Sequence, residues 1–263
     1  MASYADQIKA GQAAHLAVNT LAHTAEQQII TAFTDWAQGS LDKQTIRHRL
    51  EAIVRSAYRS SAAIAAQAAM RASDLPDWAP AATFNNDYLQ QLLRDVRKNL
   101  RAYKNGDEAA QRAALLRIQF SAQVGAQRGF NDQQVEAYTE LEDFGYEVEK
   151  AWMANFVDNV PCDECRERHG TVLKIHEDFP AYPKRKTFVN RQAPPAHPRC
   201  SCFLVMLIRS LENVFDKPDF QQEGSTAPPS MLSTEQVQKM PAALFHSVIA
   251  VLKSIIALIR RKK

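Results

Sequence analysis

Apolar side chains recur three and four positions apart through the first half of the chain, the period of amphipathic helices. Leu16, Leu21, Ile29, Ile30, Phe33 and Trp36 set a first stripe, and Gly39 with Ser40 closes it. A second stripe runs from Leu41 to Met70 through Ile46, Leu50, Ile53, Val54, Tyr58 and Ile64. Its last part, Ser60 to Met70, is built of small residues that permit close helix–helix approach or burial in an assembly. Two prolines then interrupt the pattern between Ser73 and Pro80, which predicts a hinge or subdomain linker. Three further helices are predicted over Asn86–Tyr103, Glu108–Arg128 and Asn131–Lys150, the last with Asn131 and Asp132 as caps.

At Trp152 the texture changes. W-M-A-N-F-V-D alternates bulky and small residues, T-V-L-K-I is short and β-branched, and C-F-L-V-M-L-I is continuously apolar. Short runs of this kind, bounded by Pro, Asn and Gly, predict strands. The proline- and base-rich insert from His176 to Pro195 predicts a loop, and residues 223–230 a flexible linker. In the final segment Leu244, Val248, Val251, Leu252, Ile255, Ile256 and Ile259 cover a broad face ahead of R-R-K-K. That predicts a terminal helix docking on this chain or a partner, with membrane contact through 244–259 as the alternative. The pattern divides the chain into a helical domain (1–150), a small α+β Cys/His module (151–222), a linker (223–240) and the terminal helix (241–263). The fold class expected is mainly α with a small C-terminal α+β module, its short strands set around a Cys/His knuckle.

Composition adds little to this picture but narrows it. The 263 residues are 46% hydrophobic and 23% charged, a foldable mixture, and only eight glycines accompany abundant alanine. The net charge of +3 permits contact with nucleic acid without arguing for it. Lys184–Lys186 with Arg191 form a basic run that suits non-specific contact with DNA phosphates, or simply a solvated loop. The opening M-A-S-Y-A-D-Q-I-K shows no secretory pattern, so a reducing cytoplasm is the expected place of synthesis.

Cysteine use is the sharpest chemical signal. All four cysteines fall in two short pieces, Cys162 and Cys165 in C-D-E-C-R-E-R-H-G, Cys200 and Cys202 in P-P-A-H-P-R-C-S-C. In a reducing setting such clustering points to a metal more than to disulfides. With His169 and His197 there are six potential ligands where tetrahedral zinc takes four. The most economical set is Cys162, Cys165, His197 and Cys200, with His169 and Cys202 as alternates. Alternation along a strand lets Cys200 and Cys202 share a face, which would displace His197. Two disulfides, or buried free thiols, are the other readings.

Signs of catalysis are thin. Glu164, Glu167 and Asp158 lie near the cysteines, yet no H-E-x-x-H occurs. P-C-D-E-C keeps the P-C-x-x-C half of the zinc deaminase pattern, but neither His23 nor His48 has Glu two positions on. No enzymatic activity is expected. The rival reading is a zinc-dependent enzyme of nucleic-acid or peptide processing.

Taken together, W-x-x-x-x-x-D, C-D-E-C-R-E-R-H-G-T-V and P-P-A-H-P-R-C-S-C resemble the C-terminal module of phage minor head proteins of the Mu F type. The resemblance covers residues 150–207. It places Trp152, Asp158, Cys162, Cys165, His169, Gly170, Pro195, His197, Pro198, Cys200 and Cys202 on the family's positions. Ser201 stands where the family more often has a basic residue. What the resemblance implies is a virion component acting in head morphogenesis, present in several copies. It would contact the portal protein or the major capsid protein inside the head or at the portal vertex. A membrane-active DNA-ejection protein is a second alternative, resting on 244–259.

Overall fold

The computed structural model of the chain describes residues 3–73, 75, 78–155, 161–180, 192–195, 200 and 202–209. These belong to one compact unit, Met1–Asp219; a second unit, Phe220–Lys263, lies wholly outside the described residues. So do the basic run at 184–186 with Arg191, the expected linker and the expected terminal helix. Among the described residues no helix is long and apolar enough to cross a membrane.

The fold is mainly α with a small antiparallel sheet in its C-terminal part, as the periodicity predicts. Four long helices come first: α1 (Tyr4–Ala37), α2 (Lys43–Ser73), α3 (Asn86–Asn105) and α4 (Glu108–Asp143). Then follow β1 (Glu147–Met153), α5 (Asp163–Arg168), β2 (Val172–Lys174) and β3 (Phe203–Arg209). Local chemistry starts the long helices. Ser3 Oγ accepts from the Asp6 N–H at 3.2 Å, Asn85 Oδ1 from Tyr88 at 3.0 Å and Asp107 Oδ1 from Ala110 at 2.9 Å. Each satisfies one of the donors that a helix start leaves unpaired.

Two sequence expectations are corrected here. The helices predicted over Glu108–Arg128 and Asn131–Lys150 are a single helix, α4, and Asn131 and Asp132 are interior residues instead of caps. Gly129 sits at the expected break because α2 crosses there. A Cβ on Gly129 would overlap the Tyr58 carbonyl oxygen and stand 2.9 Å from Ser61 Oγ. The glycine is a close-approach site, not a terminator. Asp132 instead accepts from Arg128 Nε at 2.7 Å.

The second correction concerns the end of that helix. α4 stops at Asp143, and the first strand covers Glu147–Met153 instead of starting at Trp152. Gly145 takes φ 90°, a conformation that side chains disfavour. The Gly145 N–H donates to Glu142 and the Tyr146 N–H to Leu141, which closes the last turn and turns the chain away. The charged look of E-V-E-K hides the strand, since its alternate residues lie on opposite faces.

Two apolar cores result among the described residues. One lies within the helices and includes Ile29, Ile46, Leu50, Leu93, Ile118 and Phe130. The other joins the ends of α2 and α4, through Ala69, Ala72, Tyr138 and Leu141, to the sheet residues Val148, Trp152, Leu204, Met206 and Ile208. The segment expected as a hinge is tied down over part of its length. Trp78 is buried in the second core, and Gln133 of α4 accepts from Thr83 N–H at 2.6 Å and donates to Ala81 O at 3.0 Å.

The sheet order is β2-β1-β3, with β1 antiparallel to both neighbours. Lys150 pairs with Met206 and Trp152 with Leu204, so alternation puts Val148, Lys150 and Trp152 on the face carrying Leu204, Met206 and Ile208. The opposite face meets α1. There a Cβ on Gly11 would stand 3.0 Å from Val205, and the His15 ring stacks on Phe203 with centroids 4.0 Å apart.

The outer edge of β3 is occupied by side chains of the helices. Gln7 of α1 accepts from Ile208 N–H at 2.7 Å and donates to Ile208 O at 3.1 Å. Asn131 Oδ1 accepts from Leu204 N–H at 3.0 Å. These amides imitate a further strand and so satisfy an edge that would otherwise be open. They also explain why Gln7 and Asn131 are buried.

Candidate metal centre

Three sulfur atoms converge in the second core. The Sγ atoms of Cys165, Cys200 and Cys202 all lie within 4.8 Å of one another, and all three residues are buried. Cys165 Sγ and Cys200 Sγ are 3.8 Å apart, far beyond a disulfide bond, and none of the four cysteines is in a disulfide. Cys165 is supplied by α5, while Cys200 and Cys202 immediately precede β3. Counting by twos from Leu204 carries Cys202 and Cys200 along the face that holds Trp152.

The six ligands anticipated from sequence are therefore sorted unevenly. Cys165 and Cys200 come together, and Cys202, weighed as an alternate, joins them. Cys162 is the N-cap of α5, half-buried, and stands outside the three-sulfur group. His169 caps the other end of α5, and its Nδ1 accepts from the Ala154 N–H at 3.1 Å. His197 and Asp158 lie outside the described residues. The neighbouring Gly170, with φ 74°, donates its N–H to Trp152 O at 2.8 Å. The H-G pair thus ties the α5–β2 turn to the end of β1.

The net effect of the surroundings opposes ionisation of Cys165 and of Cys202. Hydrogen bonding with Cys200 and Cys202, and then burial, raises the Cys165 pKa well above the ordinary thiol range. At Cys202 the interaction with Cys165 lowers the pKa, but Cys200 and burial raise it by more; Trp152 acts in the lowering direction. Thiolates are the metal-binding form, so a cation entering here must displace protons and neutralise the charge that burial penalises. A closed group of soft sulfur donors fits a thiophilic cation in both chemistry and burial.

Around the sulfurs lies a layer of aromatic and charged side chains that sequence reasoning did not bring together there. Trp152 and Phe179 meet edge-on with centroids 5.0 Å apart. Arg168 lies 4.9 Å over the Trp152 ring and pairs with Glu164 at 3.0 Å, both residues being buried. Glu164 and Arg168 stand four apart, the spacing of a helix-surface pair, and only the burial was illegible. His15, on the other face of the sheet, is held neutral: burial lowers its pKa to about 3 against a small opposing pull from Cys200.

Lys150 is fully buried, with Nζ 5.5 Å from the Phe179 centroid and no hydrogen-bond partner among the described residues. Burial lowers its pKa to about 8, against the opposing effect of Asp178 and Glu177. A depressed amine costs nothing above its unfolded pKa of about 10.4, and the cost grows as pH falls towards the folded value. Lys150→Met is therefore expected to raise the melting temperature at pH 7, with the gain shrinking by pH 10. Thermal melts of both proteins at the two pH values check this; an equal gain at both, or a loss at pH 7, would exclude a charge penalty.

A shallow groove of about 590 Å³ is a second feature, lined among others by Tyr58, Arg128, Asp132, Glu136, Thr139 and His176. Its most buried acid, Asp132, has its pKa raised by burial even though Arg128 pairs with it. Compared with protein-family models, curated proteins and solved structures, the chain matches none of them.

Proposed function

We propose that this protein is a structural component of a phage head, a minor head protein of the Mu F type, and that its C-terminal module is stapled by zinc. The observation that carries the metal half of this reading is the buried convergence of Cys165, Cys200 and Cys202. Four tetrahedral ligands about 2.3 Å from zinc lie roughly 3.8 Å apart, and Cys165 and Cys200 are separated by 3.8 Å. Bound there, zinc would supply a cross-link between α5 and the start of β3, with a fourth donor drawn from Cys162, His169 or His197.

The burial of the sulfurs favours a staple over a reaction centre, because a catalytic zinc keeps a coordination position open to water or substrate. Glu164, the acid next to Cys165 in sequence, is buried and lies 3.0 Å from the Arg168 guanidinium as an ion pair. The head assignment rests on the resemblance of residues 150–207, and two structural features support it. The small module is docked on a helical body through the second core, and its outer strand edge is sealed by Gln7 and Asn131, which suits a rigid assembly part. Portal protein and major capsid protein are the partners this reading assigns. Non-specific contact with packaged DNA is assigned to the basic segment.

The test has two arms. Elemental analysis of the purified full chain is expected to give one zinc per chain. Immunodetection in heads purified from particles made by the encoding genome is expected to find several copies per head. Absence of the protein from heads would overturn the assembly role, and absence of stoichiometric zinc would overturn the staple.

A further inference from the structure

The Trp152 indole is enclosed on every side, yet its N–H has no partner at ordinary hydrogen-bond geometry among the described residues. A buried donor left in this state calls for an explanation. Sheet register locates the explanation. Trp152 stands opposite Leu204 on β3, so Cys202, two residues earlier on the same face, is its diagonal neighbour. That relation is within reach of an aromatic side chain. Trp152 and Cys202 share the second core. The ring has little freedom to turn elsewhere, since Phe179 meets it edge-on and the Arg168 guanidinium covers its face. A cation over the ring also draws electron density from the indole and strengthens its N–H as a donor.

The geometry points to Trp152 as the residue that positions and tunes the metal-bound sulfur of Cys202: its indole N–H donates to that sulfur once the sulfur is a thiolate. A neutral thiol is a weak acceptor, whereas an ionised one is a strong acceptor. The donor that makes no ordinary hydrogen bond beside the neutral thiols is thus in place for the metal-loaded form. Outer-layer donors of this kind hold metal ligands in orientation, and their loss commonly weakens metal binding 10- to 100-fold. This inference rests on the metal reading above and extends it to a residue that is not itself a ligand.

The test compares the full-length wild type with Trp152→Phe, which keeps an aromatic ring and removes the N–H. Titration with Co²⁺ is expected to show binding weakened by about tenfold or more. The sulfur-to-cobalt charge-transfer band is expected to move to lower energy, because the thiolate loses a hydrogen bond that stabilises its electrons. A purely structural role would instead lower the melting temperature of the metal-stripped protein and leave the band in place. A second measurement on the wild type guards against a variant that fails to fold. The three indole N–H signals of ¹⁵N-tryptophan protein, assigned with Trp36→Phe and Trp78→Phe, are followed as Zn²⁺ is added. The Trp152 proton is expected to move downfield. Unchanged affinity and band in Trp152→Phe, or an unmoved Trp152 signal on zinc loading, would overturn the inference while leaving the metal centre standing. A wild type that takes up neither Co²⁺ nor Zn²⁺ would overturn the metal reading, and this inference with it.

Discussion

Cys165→Ser is expected to abolish stoichiometric metal binding and to loosen the core under the sheet while the four long helices stay folded. Cys165 is the sulfur that α5 contributes to the three-sulfur group, so on the proposed reading its loss detaches that turn from the start of β3. Structural zinc sites in small peptides contribute on the order of 10 kcal/mol to folding. Here the expected effect is smaller, because β3 is also held by β1, by Gln7 and by Asn131. A loss of about 3–5 kcal/mol is expected, within the range for breaking a buried ligand constellation. Near-ultraviolet circular dichroism should lose the signal of Trp152 and Trp78, both in the second core, while the helical far-ultraviolet signal persists. Wild-type protein stripped by a chelator should behave the same way. An unchanged melting temperature and metal content in Cys165→Ser would rule out the staple.

Gly129→Val should be the most damaging change in the helical body. A Cβ at this position would overlap the carbonyl oxygen of Tyr58, a backbone atom that cannot swing aside, so α2 and α4 would have to separate. Forcing atoms into a packed interface costs about 1–3 kcal/mol and occasionally more. The upper end is expected here, because Tyr58 and Phe130 lie in the first core beside the contact. Gly125→Ala, one turn earlier on the same helix, is the contrast. Its Cβ would meet the end of the Leu92 side chain at 3.2 Å, and that end can give way. Alanine also improves helix propensity over glycine by about 1 kcal/mol, so Gly125→Ala should be neutral to stabilising. Urea unfolding of the two variants separates these outcomes. A mild Gly129→Val, or a Gly125→Ala as harmful as Gly129→Val, would contradict the close approach of α2 and α4.

The helices α1, α2 and α3 were legible because apolar residues recur at helical spacing, with Gly39 and the prolines after Ser73 marking two of the ends. The break placed between Arg128 and Asn131 was misread for a related reason. Gly129 followed shortly by Asn131 and Asp132 has the local form of a stop and a restart, and only contact with Tyr58 shows the glycine to be a packing device. β1 was placed late because a strand of alternating charge and apolarity carries little propensity, and its identity depends on partners in β2 and β3.

The sequence by itself determined the mainly helical class, the small module with strands and the concentration of every cysteine into two short pieces. Those traits live in local periodicity and composition, which a chain displays before it folds. Tertiary structure alone decided which sulfurs meet. Cys165 reaches Cys200 and Cys202 because β3 pairs with β1 in one register, and a slip of one residue would turn both cysteines to the α1 face. It also decided that Trp152, Arg168, Glu164 and Lys150 are buried around them. Burial and register arise from contacts between segments distant in sequence, and no local window contains them.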